Sequence, residues 1–257
     1  MGILSGLSGL LTNKLLFFPV KVIGVYPSQL EIPYREGFFN NDDGHRLHGW
    51  FFPGKSDRTL FFLHGNAGNI GDRVDRIRFL SKIGWNIFIF DYRGFGGSEG
   101  SPTIKGVIQD SRAALRYLCE TLGFQGEQIV LFGESLGGAL AIELGSEAPF
   151  EAVILESTFT SLHEMAQTAY PFIPQALVPN AFHSVEKIRQ LKSPLLVIHG
   201  TNDPVVPFSM GKKLFEAAPH PKRFYVVEGA VHNDVYLRGG SDYLKVLEEF
   251  LSEIGLP

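Results

Sequence analysis

Cysteine is almost missing from this chain: Cys119 stands alone among 257 residues. An internal disulfide and a CxxC redox or metal pair are therefore excluded. A chain without disulfides suits a reducing compartment, so a cytoplasmic location is expected. Long apolar runs are also lacking. The most apolar stretch, MGILSGLSGLLTNKLLFFPVKVIGVYP, is broken by Ser5, Ser8, Thr12, Asn13, Lys14 and Lys21, and no window reaches the ~20 clean apolar residues of a bilayer span. No Lys or Arg precedes Lys14, so the basic start of a secretory signal is absent. Gly6 stands where an N-myristoylation motif needs Ser or Thr. Lys plus Arg total 23 against 27 Asp plus Glu, a net charge of -4 with no basic stripe, which argues against a nucleic-acid partner. His163, His183 and His220 lack metal-ligand spacing, and neither a metal nor a cofactor is expected. No repeat, low-complexity tract or Gly/Ser linker divides the chain.

What is present is the material of one large core. The 44% hydrophobic content is ordinary for a globular domain. Short, nearly all-apolar runs occur at Leu60–His64, Trp85–Tyr92, Ile129–Gly133, Ala152–Glu156, Leu195–His199 and Phe224–Val227. Such runs read as strands buried on both faces. Helical patterns fall between them, as at Ile104, Val107, Ile108, Leu115 and Leu118 behind a cap at Thr103, and another helix is expected to start after Ser135, with its apolar pattern from Leu140. Before them, Glu36–Asn40 and His45–Phe52 flank the polar turn Asn41-Asp42-Asp43-Gly44 and predict an antiparallel hairpin. The expected fold is α/β: a mostly parallel central sheet opened by that hairpin, with helices on both faces. One interval, about 157–193, is too long for an ordinary connection. It carries Pro171, Pro174 and Pro179 with Tyr170, Phe172, Ile173, Leu177 and Phe182, and is expected to form a small apolar cap. Residues 31–257 are thus read as one capped domain.

Residues 1–30 form an apolar extension. On a helix, Ile3, Leu4, Leu7, Leu10, Leu11, Leu15 and Phe18 make one apolar stripe. That stripe suits peripheral contact with a membrane interface, or packing over the domain's own surface, and the sequence leaves both open.

The chemistry is carried by Gly133-Glu134-Ser135-Leu136-Gly137-Gly138. This is G-x-S-x-G between a strand and a helix, the setting in which a strained turn exposes a serine. Serine is a poor nucleophile at neutral pH unless a base removes its proton. His232 follows the last predicted strand and is the best-placed base. Asp203, on the loop after the preceding strand, would hold its tautomer. The order Ser135, Asp203, His232 is the one this fold class uses, and all three lie at strand C-termini, where sites of open α/β sheets collect. The N–H of Leu136, with that of Asn66 or less favourably Ala67, would stabilise a developing oxyanion. His64 is read as a loop-holding residue, Glu134 as a structural ion-pair partner, Glu156 as a weaker rival for the triad acid, Cys119 as packing, and Asp91–Ser98 as a structural loop.

From about residue 31 onward the chain resembles the α/β-hydrolase superfamily. More narrowly, it resembles the Bem46-like serine hydrolases, which include the α/β-hydrolase domain-containing types 13 and 17. The blocks carrying the match are HGNAGN at 64–69, DYRGFGGSEG at 91–100, GESLGG at 133–138, LESTFTS at 155–161, HGTNDPVVP at 199–207 and HND at 232–234. The resemblance implies Ser135 as nucleophile, Asp203 as acid, His232 as base and Asn66 and Leu136 as oxyanion donors. Val231 stands where such proteins commonly carry glycine.

The expected activity is hydrolysis of acyl esters or thioesters through an acyl-enzyme. Some members of the resembled subgroup remove palmitoyl groups from proteins, so a small-molecule or lipid acyl substrate, or an acylated protein, is the expected partner. A capped peptidase and a non-enzymatic interaction protein on the same scaffold are the alternatives. Among the 22 Phe residues, those at 17, 18, 172 and 182 fall outside the predicted sheet and suggest an apolar surface or channel. Many of the 29 Gly residues gather at the elbow, the 64–69 loop and the 94–100 turn.

Overall fold

The computed structural model describes residues 16–253. Among the described residues there are ten strands: β1 (Phe18–Pro19), β2 (Arg35–Asn40), β3 (Arg46–Phe52), β4 (Thr59–Leu63), β5 (Ala67–Gly68), β6 (Asn86–Asp91), β7 (Ile129–Glu134), β8 (Ala152–Glu156), β9 (Leu195–Gly200) and β10 (Lys222–Val227). Eight of them form one sheet in the order β10-β9-β8-β7-β4-β6-β3-β2. The β2–β3 hairpin is antiparallel as expected, and β3 also meets β6 antiparallel. From β6 to β10 every neighbour is parallel. The central strands read as unbroken apolar runs because both their faces are covered: β4, β6, β7, β8 and β9 are buried at every residue. β10, at the edge, is mostly half-buried.

The described residues also form seven α-helices: α1 (Val74–Leu80), α2 (Ile104–Arg116), α3 (Leu136–Glu147), α4 (Leu162–Ala169), α5 (Ser184–Ile188), α6 (Phe208–Ala217) and α7 (Val235–Glu253). The Thr103 hydroxyl caps α2 by accepting from Gly106 N–H at 2.9 Å. Two apolar layers result. One, holding Phe61, Phe88, Leu131 and Leu140, lies under α2, α3 and α6; the other, holding Phe62, Ile77, Phe132 and Leu247, lies under α1 and α7.

The helix expected after Ser135 starts at Leu136, directly after the elbow serine. Three other sequence expectations are corrected. Phe18 is not helical but lies in β1, which pairs in parallel with β5; the remainder of the proposed stripe, Ile3 to Leu15, lies outside the described residues. Phe17 is core, 3% exposed and edge-on to Phe95 at 6.5 Å. Phe182 is also core, against Phe159 at 6.0 Å. Only Phe18 and Phe172, 50% and 80% exposed, serve the surface role suggested for all four.

The 157–193 interval is not uniform. Ser157–Thr160 and Ile188 are buried in the domain, while α4 and the following stretch through Pro179 stand over a cavity. Among the described residues no helix is long and apolar enough to cross a membrane.

Candidate active site

Ser135 occupies the sharp turn between β7 and α3 with φ 54° and ψ −113°, a conformation L-residues hold only under constraint. The constraints are visible. Ser135 N–H donates to Glu156 O at 2.9 Å, and its carbonyl accepts from the Thr158 hydroxyl at 2.6 Å and from Gly138 N–H at 3.0 Å. A Cβ on Gly137 would collide with the Leu63 carbonyl, and one on Gly133 with the Gly137 carbonyl. The turn closes only with glycine at both places. Leu136 opens α3, so its N–H has no intrahelical acceptor.

The loops after β9 and β10 bring Asp203 and His232 together. They are clasped by Thr201 N–H to Val227 O (3.2 Å), Asn202 N–H to Ala230 O (3.0 Å) and Gly229 N–H to the Thr201 hydroxyl (2.8 Å). Asp203 Oδ2 lies 2.7 Å from His232 Nδ1. Its Oδ1 accepts from the N–H groups of Val205 and Val206 at 2.9 and 2.8 Å. His199 Nε2 stands 3.5 Å from Oδ2. Burial pushes the Asp203 carboxyl up, but the two histidines and the Val206 N–H outweigh it and hold it well below the ordinary carboxylate range. A carboxylate facing Nδ1 keeps the proton there and leaves Nε2 as the acceptor. Val231, 40% exposed, adopts a negative φ and ties its N–H to Asp234 Oδ1 at 2.7 Å, so glycine is not required at this position.

Glu156 is not available to His232. Its Oε2 meets Arg76 Nη2 at 2.5 Å and the Tyr243 hydroxyl at 2.6 Å. The parallel register sets Glu134 beside Glu156, and Arg76 of α1 spans both, reaching Glu134 Oε2 at 3.0 Å. The guanidinium also lies over Phe132 and Tyr236 at 5.2 and 5.0 Å. Burial raises the Glu134 carboxyl, yet Arg73 and Arg76 beside it bring it below its usual value. The sequence reading named Glu134 but missed Arg76, Tyr243 and His199. Arg76 and Tyr243 lie in no motif, and His199, although it opens the 199–207 block, was not singled out as a partner of Asp203.

His64 is fully buried, with Nδ1 2.7 Å from Gly65 O and its carbonyl accepting from the Tyr92 hydroxyl at 2.9 Å. Burial lowers its pKa to about 4, so it is neutral at pH 7 and holds the loop. Cys119 packs against the core at its edge.

Ser135, Leu136, Asn66, Ala67 and His232 line one cavity of about 190 Å³. A second cavity of about 630 Å³ lies beside it under α4 and the Tyr170–Pro179 stretch, lined by Phe172, Ile173 and Leu177 among others. Leu16, Asn66, Leu162, Met165 and Val205 line both. Phe182 of the expected cap lines neither. Among the described residues no group of three or more His, Cys, Asp or Glu is arranged to hold a metal.

Residues 54–185 match the family described as serine aminopeptidase, S33. An α/β-hydrolase domain-containing protein of Arabidopsis thaliana, WAV2, is 34% identical over 94% of this chain and 87% of its own length. Human α/β-hydrolase domain-containing protein 17B is 39% identical over 76% of this chain and 66% of its own length. A Mycobacterium tuberculosis protein of unassigned role is 37% identical over 94% of this chain and 87% of its own. Among solved structures, the Pyrococcus furiosus esterase Pf2001 superposes with a TM-score of 0.77 at 24% identity, covering 92% of this chain and 98% of that one, and shows the same fold. The chain is a member of the α/β-hydrolase superfamily, in the branch of the α/β-hydrolase domain-containing proteins.

Proposed function

We propose that this hydrolase cleaves acyl esters or thioesters with Ser135 as nucleophile. Ser135 Oγ attacks the acyl carbonyl while His232 Nε2 takes its proton, with Asp203 fixing the ring. The oxyanion rests on the N–H groups of Leu136 and Asn66. Collapse expels the alcohol or thiol, which receives the proton from His232. Water, activated by the same imidazole, then attacks the acyl-enzyme and releases the acid.

The observation that carries the acyl reading is the apolar cavity of about 630 Å³ continuous with the Ser135 pocket. Its size falls in the range of small-molecule sites, about 300 to 1,000 Å³. Each methylene buried in it contributes about 0.8 kcal/mol, so kcat/KM is expected to climb up to about fourfold per methylene until the channel is full. Phe18, Phe172 and Leu177 at its rim are exposed, which supports a substrate delivered from a lipid surface, including an acylated protein, and peripheral membrane contact on the cytoplasmic side.

The family description favours a second reading, an aminopeptidase. A free substrate amine would need a carboxylate, and Glu134 is the one acid among the described lining residues of the two cavities, already paired to Arg73 and Arg76. Fluorophosphonate labelling of the parent and of Ser135→Ala, followed by p-nitrophenyl esters of rising length, acyl thioesters and amino-acid anilides, tests the proposal. Labelling lost in Ser135→Ala with a preference for longer acyl groups is expected. Turnover confined to anilides would establish the peptidase instead, and an unlabelled parent would return the chain to a non-enzymatic role.

A further inference from the structure

We propose that the N-terminal strap Leu16–Val22 is a working wall of this site, positioning the oxyanion loop and selecting which acyl chains pass from Ser135 into the apolar channel. The inference rests on the acyl-hydrolase reading.

The loop 64–69 carries glycine at 65 and 68, and glycine-rich backbone loses the most conformational freedom when fixed. An oxyanion donor must nevertheless be held to within about 0.5 Å. The strap does this from outside. Phe18 N–H donates to Asn66 O at 2.9 Å and Val20 N–H to Gly68 O at 3.0 Å. Asn66 Nδ2 reaches back to Leu16 O at 2.7 Å. Asn69 Nδ2 donates to the carbonyls of Val20 and Val22 at 3.0 and 2.9 Å. The strap is itself anchored elsewhere. Phe17 is buried beside Phe95, Gly96 N–H donates to Val20 O at 3.0 Å, and Lys21 Nζ to Ser98 O at 2.6 Å. The loop, which leaves β4 at Leu63, is thus also tied at its far side to a segment fixed to the 94–98 turn.

The same segment bears on selectivity. Leu16 lines both the Ser135 pocket and the larger cavity, and Phe18 lines the larger one. Leu16 is one of the five residues common to the two cavities, so an acyl chain held by its carbonyl at Ser135 and running into the channel would run beside it. Leu16 is thus a specificity-determining residue, and Asn66, through its side chain, is a positioning residue beyond any role of its backbone N–H.

The test uses the full-length chain, with activities divided by fluorophosphonate-titrated sites so that misfolded protein is not counted. Leu16→Trp is expected to lower kcat/KM for p-nitrophenyl palmitate and laurate at least about tenfold relative to butyrate. Leu16→Ala, the milder change, should flatten the dependence on chain length. Asn66→Asp removes the donor to Leu16 O at constant size and should lower kcat per titrated site about tenfold to a hundredfold at every chain length, with KM for butyrate little changed. An unchanged chain-length profile in both Leu16 variants overturns the selectivity claim. An unchanged kcat per site in Asn66→Asp overturns the positioning claim. A parent that fails to label counts against the hydrolase reading itself, whereas a labelled, active parent with indifferent variants counts against this inference alone.

Discussion

Replacing Asp203 by Asn probes the site at the point where the geometry dictates the outcome. Asp203 Oδ1 accepts two backbone N–H bonds, from Val205 and Val206, while Oδ2 faces His232 Nδ1 at 2.7 Å. An asparagine must keep its oxygen toward the two N–H donors, since turning the amide over would set its NH2 against them. The NH2 group then faces Nδ1, which must become the acceptor. The ring proton moves to Nε2, and a protonated Nε2 cannot take the proton of Ser135. The expected loss is about 10⁴-fold in kcat, the scale set by the same tautomer reversal in other serine triads, or about 5 kcal/mol of transition-state stabilisation. The assay is kcat for p-nitrophenyl butyrate per mole of folded protein, with folding checked by circular dichroism and Glu156→Gln as comparator. Glu156 is committed to Arg76 and Tyr243, so its variant should lose stability and keep kcat within about tenfold. An Asp203→Asn enzyme within tenfold of the parent, or a Glu156→Gln enzyme equally crippled, would refute the assignment.

Three further outcomes follow from the same contacts. Gly137→Ala drives a Cβ into the Leu63 carbonyl and should cost about 1–3 kcal/mol as a shifted urea midpoint, together with slower fluorophosphonate labelling; an unshifted midpoint would contradict the close packing of the elbow. Arg76→Met leaves Glu134 and Glu156 buried without their shared cation, for which about 3–5 kcal/mol of stability is expected to be lost; a drop in Tm corresponding to under about 1 kcal/mol would mean the network is not cohesive. Asp203 and Glu134 both have carboxyl groups held below their ordinary values in the fold. Their contribution is therefore present above the unfolded values of about 4 and is lost as pH falls below them. Urea midpoints should fall on acidification and fall less steeply in Asp203→Asn; a midpoint that rises toward acid would contradict the sign.

How much of this could be read beforehand differs from element to element. β4, β7 and β9 were legible because strands buried on both faces exclude polar residues, and their runs end where the charged loops begin. The sharp turn at Ser135 was legible because two glycines at fixed offsets have a steric reason to be there. Asp203 and His232 were legible from the blocks at 199–207 and 232–234 together with their places after consecutive parallel strands, which bring them to one edge. Arg76 was not legible. It is one arginine among several on an amphipathic helix, and its burial between two carboxylates depends on how α1 lies against β7 and β8. Phe17 and Phe182 misled for the same reason. Outside the sheet in sequence, they are drawn into the core by loops whose path no periodicity records.

The sequence by itself determined the layered α/β architecture, the strand-serine-helix turn and the identity of the groups able to form a triad, because each follows from local sterics, from two-sided burial or from chemical necessity. Tertiary structure alone decided three things: that Glu156 is occupied by Arg76 and Tyr243 while Asp203 meets His232, that the cap stretch and Leu162 of α4 line an apolar cavity beside the serine pocket, and that the strap at Leu16–Val22 pairs with the 64–69 loop. All three are contacts between segments far apart in the chain. Their energies depend on distances of a few ångströms that only the packed fold defines.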